Sequence, residues 1–244
     1  MRKLMLAVGG SLILVAPLSQ ADVVGLGASV SYWDSDLSGK AATNNDVVDV
    51  ENDLNLGGDS TANASLYLEH PVPVLPNIRL NYTLVEQSGR GELGTSGFID
   101  IPGNARVQSD FDLEQLDLTL YYEVLDNWVN LDLGLTARDL AGDLTVQEVN
   151  GLATSETSVD AVIPMGYLAA RFDLPFTGVS VGTEGNFISY GGDSLLDFNV
   201  YGQYEIALLR FRAGYRQMSI DYEDGNDRLD VEIGGPFVSA GVSF

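Results

Sequence analysis

Two glycine-containing stretches match short motifs of enzymes. Gly89, Gly91 and Gly94 spell GxGxxG, which binds a dinucleotide only where the turn opens a helix, and a Gly- and Ser-rich stretch without helical periodicity follows here. Residues 178–182 spell GxSxG, but Ser180 lies within an alternating segment and the single His of the chain is remote in sequence. We therefore expect a flexible loop at the first motif and an ordinary strand at the second.

An acidic run in the first long connector could supply oxygen ligands to Ca²⁺ or Mg²⁺. Leu54 occupies the position where an EF-hand needs Gly, so this calcium-binding loop is excluded. We expect a solvated acidic loop, with weak divalent-ion binding as the alternative. The run consists of Asp46, Asp49, Glu51, Asp53 and Asp59.

His70 decides whether the sequence predicts an enzyme. A hydrolase of the Ser–His or Asp–His type would have to use this residue, because the chain has one His. His70 precedes Pro71 in a short Pro-rich connector, which the topology below places on the periplasmic side. We therefore expect a structural role for His70, no catalytic residue, no cofactor and no enzymatic activity.

Composition excludes several other classes. The chain has no Cys, so it has no disulfides, no thiolate metal site and no Cys nucleophile. Its 35 acidic residues outnumber 12 Lys and Arg, giving a formal charge of −23. Such a surface repels the phosphate backbone, which argues against nucleic-acid partners.

The N-terminus has the pattern of a secretory signal peptide. Arg2 and Lys3 precede an apolar run over 4–15, and Ser19 and Ala21 supply small residues before a cleavage site. We predict a cleaved signal peptide over residues 1–21 and one domain over 22–244.

The rest of the chain alternates with period two between turn residues, as antiparallel strands do. Most segments reach nine residues or more, whereas strands of soluble proteins are commonly about five or six residues and tilted membrane strands need about nine to eleven. The predicted strands cover 23–33, 61–70, 78–87, 112–124, 129–138, 159–172, 179–188, 195–205, 209–218 and 229–244.

Long and short connectors alternate along the chain, which is typical of a membrane barrel with short periplasmic turns and long extracellular loops. The sequence therefore predicts a single antiparallel transmembrane β-barrel of ten strands in the bacterial outer membrane. The connector 189–194 is short for the extracellular side, so eight strands is the alternative. Trp33, Trp128, Phe172 and Phe176 are candidates for aromatic girdles at the two membrane interfaces.

Several charged residues lie on the polar face of predicted strands. An Arg facing lipid near the midplane costs on the order of 2–4 kcal/mol, so these residues must face the lumen. Charges inside a narrow barrel must be paired, and we expect a structural ion-pair network rather than an open channel. The predicted lumenal set is Arg79, Arg138, Arg210, Arg212, Arg216, Glu69, Asp117, Glu123, Asp132 and Glu205, with Glu184 and Asp197 as further partners.

Four segments carry a family resemblance, which covers most of the chain after residue 21. Residues 68–78 (LEHPVPVLPNI), 131–137, 185–192 (GNFISYGG) and 235–237 together resemble a family of proteobacterial outer-membrane β-barrel proteins. The resemblance implies outer-membrane location and a barrel fold. It implies no activity and no catalytic residue.

The resulting hypothesis is a porin-like barrel without enzymatic activity that serves envelope integrity, surface interaction or limited passage of small solutes. Two alternatives stay open: a surface hydrolase acting on lipid A or peptides, and a soluble periplasmic or secreted barrel that binds a ligand inside. Expected partners are membrane lipid and lipopolysaccharide, bridged by divalent cations to the acidic loop. The last strand, which alternates apolar residues up to Phe244, is expected to contact the barrel-assembly machinery.

Overall fold

The computed structural model describes residues 24–43, 46–57, 59–72, 74–95, 97–225 and 227–244. The predicted signal peptide lies outside the described residues. The strands are β1 (Gly25–Thr43), β2 (Asp46–Asp49), β3 (Asp59–Glu69), β4 (Asn77–Glu92), β5 (Arg106–Asp126), β6 (Val129–Glu148), β7 (Thr154–Leu174), β8 (Val179–Tyr190), β9 (Asp193–Ile206), β10 (Leu209–Asp224) and β11 (Asp227–Ser243).

Within the described residues, ten of these strands form a closed antiparallel barrel. Each strand pairs with its neighbour in sequence, and β1 pairs with β11 from Gly27–Ser243 onward to close the sheet. The short β2 only extends the β1 hairpin. The ten-strand prediction is confirmed and the eight-strand alternative is wrong, because Gly191 and Gly192, both with positive φ, allow a tight β8–β9 turn.

The two ends of the barrel differ. The first residues of β1 and the terminal Phe244 lie at one end, where Leu26 and Phe244 exchange backbone hydrogen bonds of 3.2 and 2.8 Å. The short connectors 70–76, 127–128, 175–178 and 207–208 lie at this end, which is the periplasmic end of single-chain bacterial barrels. Among the described residues, no helix has the length and hydropathy needed to cross a bilayer.

The outer surface carries an apolar belt with a sharp extracellular boundary. On β5 the outward side chains change from Asp112 and Glu114 to Leu116 and Leu118, and the strand stays apolar outside down to Val124. Leu116 pairs with Asp139 of β6, so the change falls at the same level on the neighbouring strand. The belt spans about the nine to eleven residues that a tilted strand needs to cross a bilayer.

Above the belt the same strands continue with the opposite polarity. The inward residues of β5 change from Gln115 and Asp117 at membrane level to Leu113 and Val107 above it. On β6 the inward row changes from Arg138 to Leu140 and Val146. The strand extensions are therefore polar outside and apolar inside, as in a soluble barrel.

These extensions and two loops enclose an apolar core that we call the extracellular module. Inward residues of the extensions pack with loops 50–57 and 93–105. Its fully buried members include Val48, Leu54, Leu56, Val85, Val107, Val146, Met218 and Ile233. A core of this kind stabilises an ordered structure through burial of apolar surface, at roughly 25 cal/mol per Å².

Gly89 and Gly91 of the GxGxxG motif belong to this module. Both lie in β4, so the expectation of a flexible loop is wrong for them. A Cβ atom on Gly91 would lie 1.9 Å from the Asp53 carbonyl oxygen, and one on Gly89 would lie 2.3 Å from that of Asn55. The two glycines therefore let the backbone of loop 50–57 lie directly on the inner face of β4.

Trp33 is a second correction. Its side chain faces inward with 1% exposure and donates a hydrogen bond from Nε1 to the Gly235 carbonyl at 3.1 Å. An inward side chain cannot belong to an interfacial girdle. The prediction took Trp33 for a strand end, but β1 continues ten residues beyond it. Trp128 and Phe176 are strongly exposed in periplasmic turns and Phe172 faces outward, which suits an interfacial position.

Candidate functional site

The upper charged layer of the lumen lies directly beneath the extracellular module. Arg138 on β6 donates to both carboxylate oxygens of Asp117 on β5 at 2.8 Å and to Asp197 on β9 at 2.7 Å. Arg216 on β10 donates to the same Asp197 at 2.8 and 2.9 Å and lies 4.7 Å from the Trp33 ring centroid. This layer therefore bridges the bore between opposite walls.

A middle layer crosses the lumen nearer the periplasm. Arg79 on β4 contacts Glu184 on β8 at 2.9 Å and donates to the Tyr167 hydroxyl at 2.8 Å. Its guanidinium carbon lies 5.4 and 5.5 Å from the ring centroids of Tyr121 and Tyr167. Glu184 also lies 3.5 Å from Arg212 on β10.

A lower layer stands at the periplasmic end. Arg210 contacts Glu205 at 2.8 Å and donates to the Tyr67 hydroxyl at 3.0 Å. Arg212 donates to Gln203 at 2.6 Å and covers the Tyr201 ring at 4.2 Å. The side chains of both arginines are mostly buried, so each layer narrows the bore further.

The remaining predicted lumenal acids lie around the periplasmic rim. Glu69 accepts a hydrogen bond from the Tyr121 hydroxyl at 2.8 Å, and Glu123 accepts one from Asn77 at 3.4 Å. Asp132 lines a small cavity of about 30 Å³ beside Arg79 and Arg171. The predicted residues thus enter the lumen, but these three acids form no ion pair shorter than 4.0 Å with a described residue.

A cavity runs beside the charged layers. The larger lumenal cavity has a volume of about 90 Å³, and its walls combine small residues of β1, β3 and β11 with the arginines of β4 and β10. This volume holds a few water molecules. The ion pairs and the aromatic rings cross the lumen below the apolar core of the extracellular module.

His70 has a structural environment. Its Nε2 lies 3.1 Å from the Pro76 carbonyl, and its Nδ1 accepts a hydrogen bond from the Val72 amide at 3.3 Å. The His70 amide in turn donates to the Asn77 side chain at 3.0 Å. Both ring nitrogens therefore contact the backbone of the short turn at the end where β1 begins and Phe244 lies, away from the extracellular module. Ser180 lies buried within β8, as expected for a strand residue.

Two members of the acidic run, Asp49 and Asp53, accept hydrogen bonds within the first loop. Asp49 accepts hydrogen bonds from the amide and the side chain of Asn52 at 2.9 and 3.1 Å, and Asp53 accepts one from the Asp49 amide at 2.9 Å. The hydrogen bond from the Asn52 backbone lowers the pKa of Asp49 below its usual value of 3.8. Among the described residues, no three His, Asp or Glu side chains converge into a metal-binding group.

Sequence reasoning missed the aromatic component of the lumen. Tyr67, Tyr121, Tyr167 and Tyr201 each contact an arginine, and Tyr121 and Tyr167 also contact one another with ring centroids 5.9 Å apart. The available signal was strand phase, because a Tyr on the polar face of a membrane strand must face the lumen. Tyr121 gives this signal beside Thr119.

No protein-family model and no curated protein matches this sequence, so the family resemblance of 68–78 stays a prediction. Among solved structures, the chain is similar to the outer-membrane protease OmpT of Escherichia coli, with 9% identity, a TM-score of 0.57, and coverage of 90% of this chain and 97% of that one. The translocator domain of the autotransporter NalP of Neisseria meningitidis matches with 11% identity, a TM-score of 0.44, and coverage of 89% and 88%. Ail of Yersinia pestis matches with 13% identity, a TM-score of 0.40, and coverage of 91% and 99%.

The fold and its outer surface agree with the similarity to the fold of OmpT. A closed ten-strand barrel with an outward apolar belt is a structure that buries its backbone polar groups within lipid. The molecule is an integral outer-membrane β-barrel, and the soluble-barrel alternative is wrong. The belt exposes Leu118, Leu120, Leu133 and Leu135, which a soluble barrel would turn inward.

Proposed function

We propose that this protein is a sealed outer-membrane barrel, without enzymatic activity, that presents the extracellular module for surface interaction. The observation that carries the proposal is the apolar core above the belt. A barrel that served only as an anchor would need no second core, and a channel would be obstructed by it. The core holds the strand extensions in one geometry, which preorganises a binding surface.

Passage of small solutes is the least favoured of the predicted roles. Arg138 is fully buried between Asp117 and Asp197, and an ion crossing this level would have to separate them. Removing one partner of a buried ion pair typically costs about 3–5 kcal/mol, which opposes spontaneous opening. The apolar core directly above adds a second barrier.

A surface hydrolase is the second candidate, and the similarity to a protease fold motivates it. The contacts of His70 argue against it, because the ring lies in a periplasmic turn and both its nitrogens are engaged there. A peptide or lipid at the cell surface would not reach it. Loss of an envelope hydrolase activity in His70→Ala would support this candidate.

The partners predicted from the sequence stand as proposals. Besides the acidic loop, for which a divalent-cation bridge to lipopolysaccharide is predicted, outward carboxylates just above the belt such as Glu114 and Asp139 would lie level with the headgroups of the outer leaflet. The outward Val238, Ala240 and Val242 end in Phe244 and form the surface expected to meet the assembly machinery.

Single-channel recording tests the proposal. The purified barrel is inserted into planar lipid bilayers beside a known porin, which serves as the positive control for detection. The sealed barrel should give no conductance steps at voltages where the porin does. Regular steps from the wild-type protein would contradict the proposed function and restore a transport role.

A further inference from the structure

The wall of the extracellular module has a gap at β7. This strand pairs with β6 along its whole upper part, from Thr154–Gln147 downward. On its other side the pairing with β8 begins only at Gly166–Phe187. Residues 154–165 therefore have a free edge, and we call this stretch the β7 edge.

The gap is wide because the β8–β9 hairpin ends early. β8 stops at Tyr190 and β9 starts at Asp193, whereas β10 continues to Asp224. Two strands are thus missing between β7 and β10 above this turn, which leaves about 14 Å at roughly 4.8 Å per strand spacing. The opening has room for one or two added strands.

The side chains beside the gap are suited to an added strand. Val159 faces inward but is 48% exposed, and Ile163 below it packs against the apolar core. Tyr190 at the tip of the hairpin is 83% exposed, although its phase directs it inward. The other walls of the module cover its apolar core. Beside the gap, apolar side chains are therefore exposed to solvent.

The outer face around the gap is acidic. Glu156 and Asp160 are the outward charges of the β7 edge, and Glu223 is the outward charge of β10 above its last pair with β9, Asp221–Ser194. Pro164 lies in the membrane-proximal part of the edge. Because proline has no backbone N–H, it leaves no unpaired donor near lipid. The part accessible from water is thus 154–161.

We propose that the β7 edge binds an extended peptide segment with alternating apolar and basic residues, which adds to the sheet as a strand. Its backbone would pair with the free N–H and C=O groups of 154–161, as in other cases of strand addition. Its apolar residues would cover Val159 and Tyr190, and its basic residues would lie beside Glu156 and Asp160, with Glu223 on the other side of the gap. This inference rests on the proposed surface-interaction function and names its site and partner chemistry.

A second copy of this chain suits the edge less well. A two-fold antiparallel pairing of two β7 edges would bring Glu156 and Asp160 of one copy beside the same acids of the other. Like charges directly opposite one another destabilise a strand pair. Charge complementarity therefore favours a basic segment.

The first test measures binding of a synthetic nine-residue peptide of alternating Lys and Val, with both ends blocked, to the full-length barrel in nanodiscs. Two further peptides carry N-methyl groups on the Lys amides or on the Val amides. Strand addition uses one edge of the peptide, so one methylated peptide should lose at least tenfold in affinity while the other still binds. Equal binding of both would show that backbone pairing is not involved and would overturn the proposal.

Matched charge variants locate the site. Glu156→Lys with Asp160→Lys should weaken peptide binding at least tenfold. Asp110→Lys with Asp112→Lys changes the net charge equally, but on β5, which has partners on both sides, and it should leave affinity within about twofold. An equal loss in both variants would indicate nonspecific attraction to an acidic surface and would contradict the proposal.

A cysteine placed in the gap gives an independent readout, since the chain has no native Cys. The peptide should slow maleimide labelling of Val159→Cys and leave labelling of Leu152→Cys, in the fully exposed loop before β7, unchanged. Absence of protection of Val159→Cys by the peptide would exclude the peptide site. Protection that rises with protein concentration in the absence of peptide would exclude it too and would indicate self-association. Conductance of the same preparation separates the sealed-barrel proposal from the peptide-site proposal. A barrel that gives no conductance steps and binds no peptide contradicts the site at the β7 edge alone.

Discussion

Arg138 on β6 and Asp197 on β9 meet across the lumen with 2.7 Å between Nη2 and Oδ2. Asp197 also holds Arg216, so one carboxylate fixes two arginines from different walls. All three groups are withdrawn from water, where an unpaired charge is costly. The layer crosses the bore and joins strands that are not neighbours in the sheet.

Asp197→Ala should therefore destabilise the barrel strongly. Arg138 would keep Asp117 as its carboxylate partner and Arg216 would lose its pair with Asp197, so the expected loss is about 3–5 kcal/mol in the free energy of unfolding. Urea titration of the barrel in lipid vesicles, followed by gel mobility of unboiled samples, measures this loss. Asp173→Ala is the control, because its pair with Arg171 is partly exposed and should contribute less than about 1 kcal/mol. Equal effects of the two variants would contradict the structural role of the upper layer.

Gly91→Val should displace loop 50–57 from the inner face of β4. The new side chain would collide with the Asp53 carbonyl, and overpacking of this kind costs about 1–3 kcal/mol or more. Leu54 is fully buried in the wild type, so Leu54→Cys should react with maleimide only when combined with Gly91→Val. Gly94→Val is the matched control from the same motif, since no atom lies within 4 Å of its Cβ position. Unchanged protection at position 54 would show that the loop does not rest on Gly91.

The two tryptophans should respond differently to membrane quenchers. Trp33 is enclosed beneath the module, whereas Trp128 is 67% exposed in a periplasmic turn. Brominated lipids should quench the emission of Trp33→Phe, which retains Trp128, much more than that of Trp128→Phe, which retains Trp33. Strong lipid quenching in Trp128→Phe would place Trp33 at an interface and contradict its inward orientation.

Acid should release the first loop only at low pH. Asp49 has a lowered pKa in the folded protein, so its contribution to stability is present above its usual value of 3.8 and is lost as the pH falls through the lower folded value. Limited proteolysis of the first loop should therefore stay slow at pH 5 and accelerate well below pH 3.8. Asp49→Ala should be cleaved faster at both pH values. If this variant matches the wild type at pH 5, the hydrogen bond to Asn52 does not hold the loop.

Period-two alternation was sufficient to predict ten strands but not their extracellular lengths. The predicted strand 129–138, which corresponds to β6, ends at the level where inward residues change from Arg138 to Leu140 and outward ones from Ala137 to Asp139. The prediction assumed that each face of a strand keeps one polarity, so it ended the strand where the polarities of the two faces exchange. The alternation of polar and apolar residues continues to Glu148. The same assumption ended the first strand at Trp33 and misplaced this residue.

Strand phase indicates which charged side chains enter the lumen, but not which of them meet. Arg79 contacts Glu184, 105 positions away and on the far wall, and this choice depends on strand tilt and register around the closed barrel. The β7 edge could not be predicted from the sequence either, because it exists only through the unequal heights of β7 and the β8–β9 hairpin. No local pattern in 154–165 encodes the absence of a neighbour.

Hydrogen exchange tests the central claim, an ordered extracellular module above a sealed barrel, most directly. In nanodiscs, the amides of 107–113 and 142–148, which pair with one another above the belt, should exchange nearly as slowly as those of the membrane-level segments 116–122 and 131–137. Rapid exchange above the belt, with slow exchange confined to the membrane-level segments, would contradict an ordered module and leave only a membrane anchor with mobile loops.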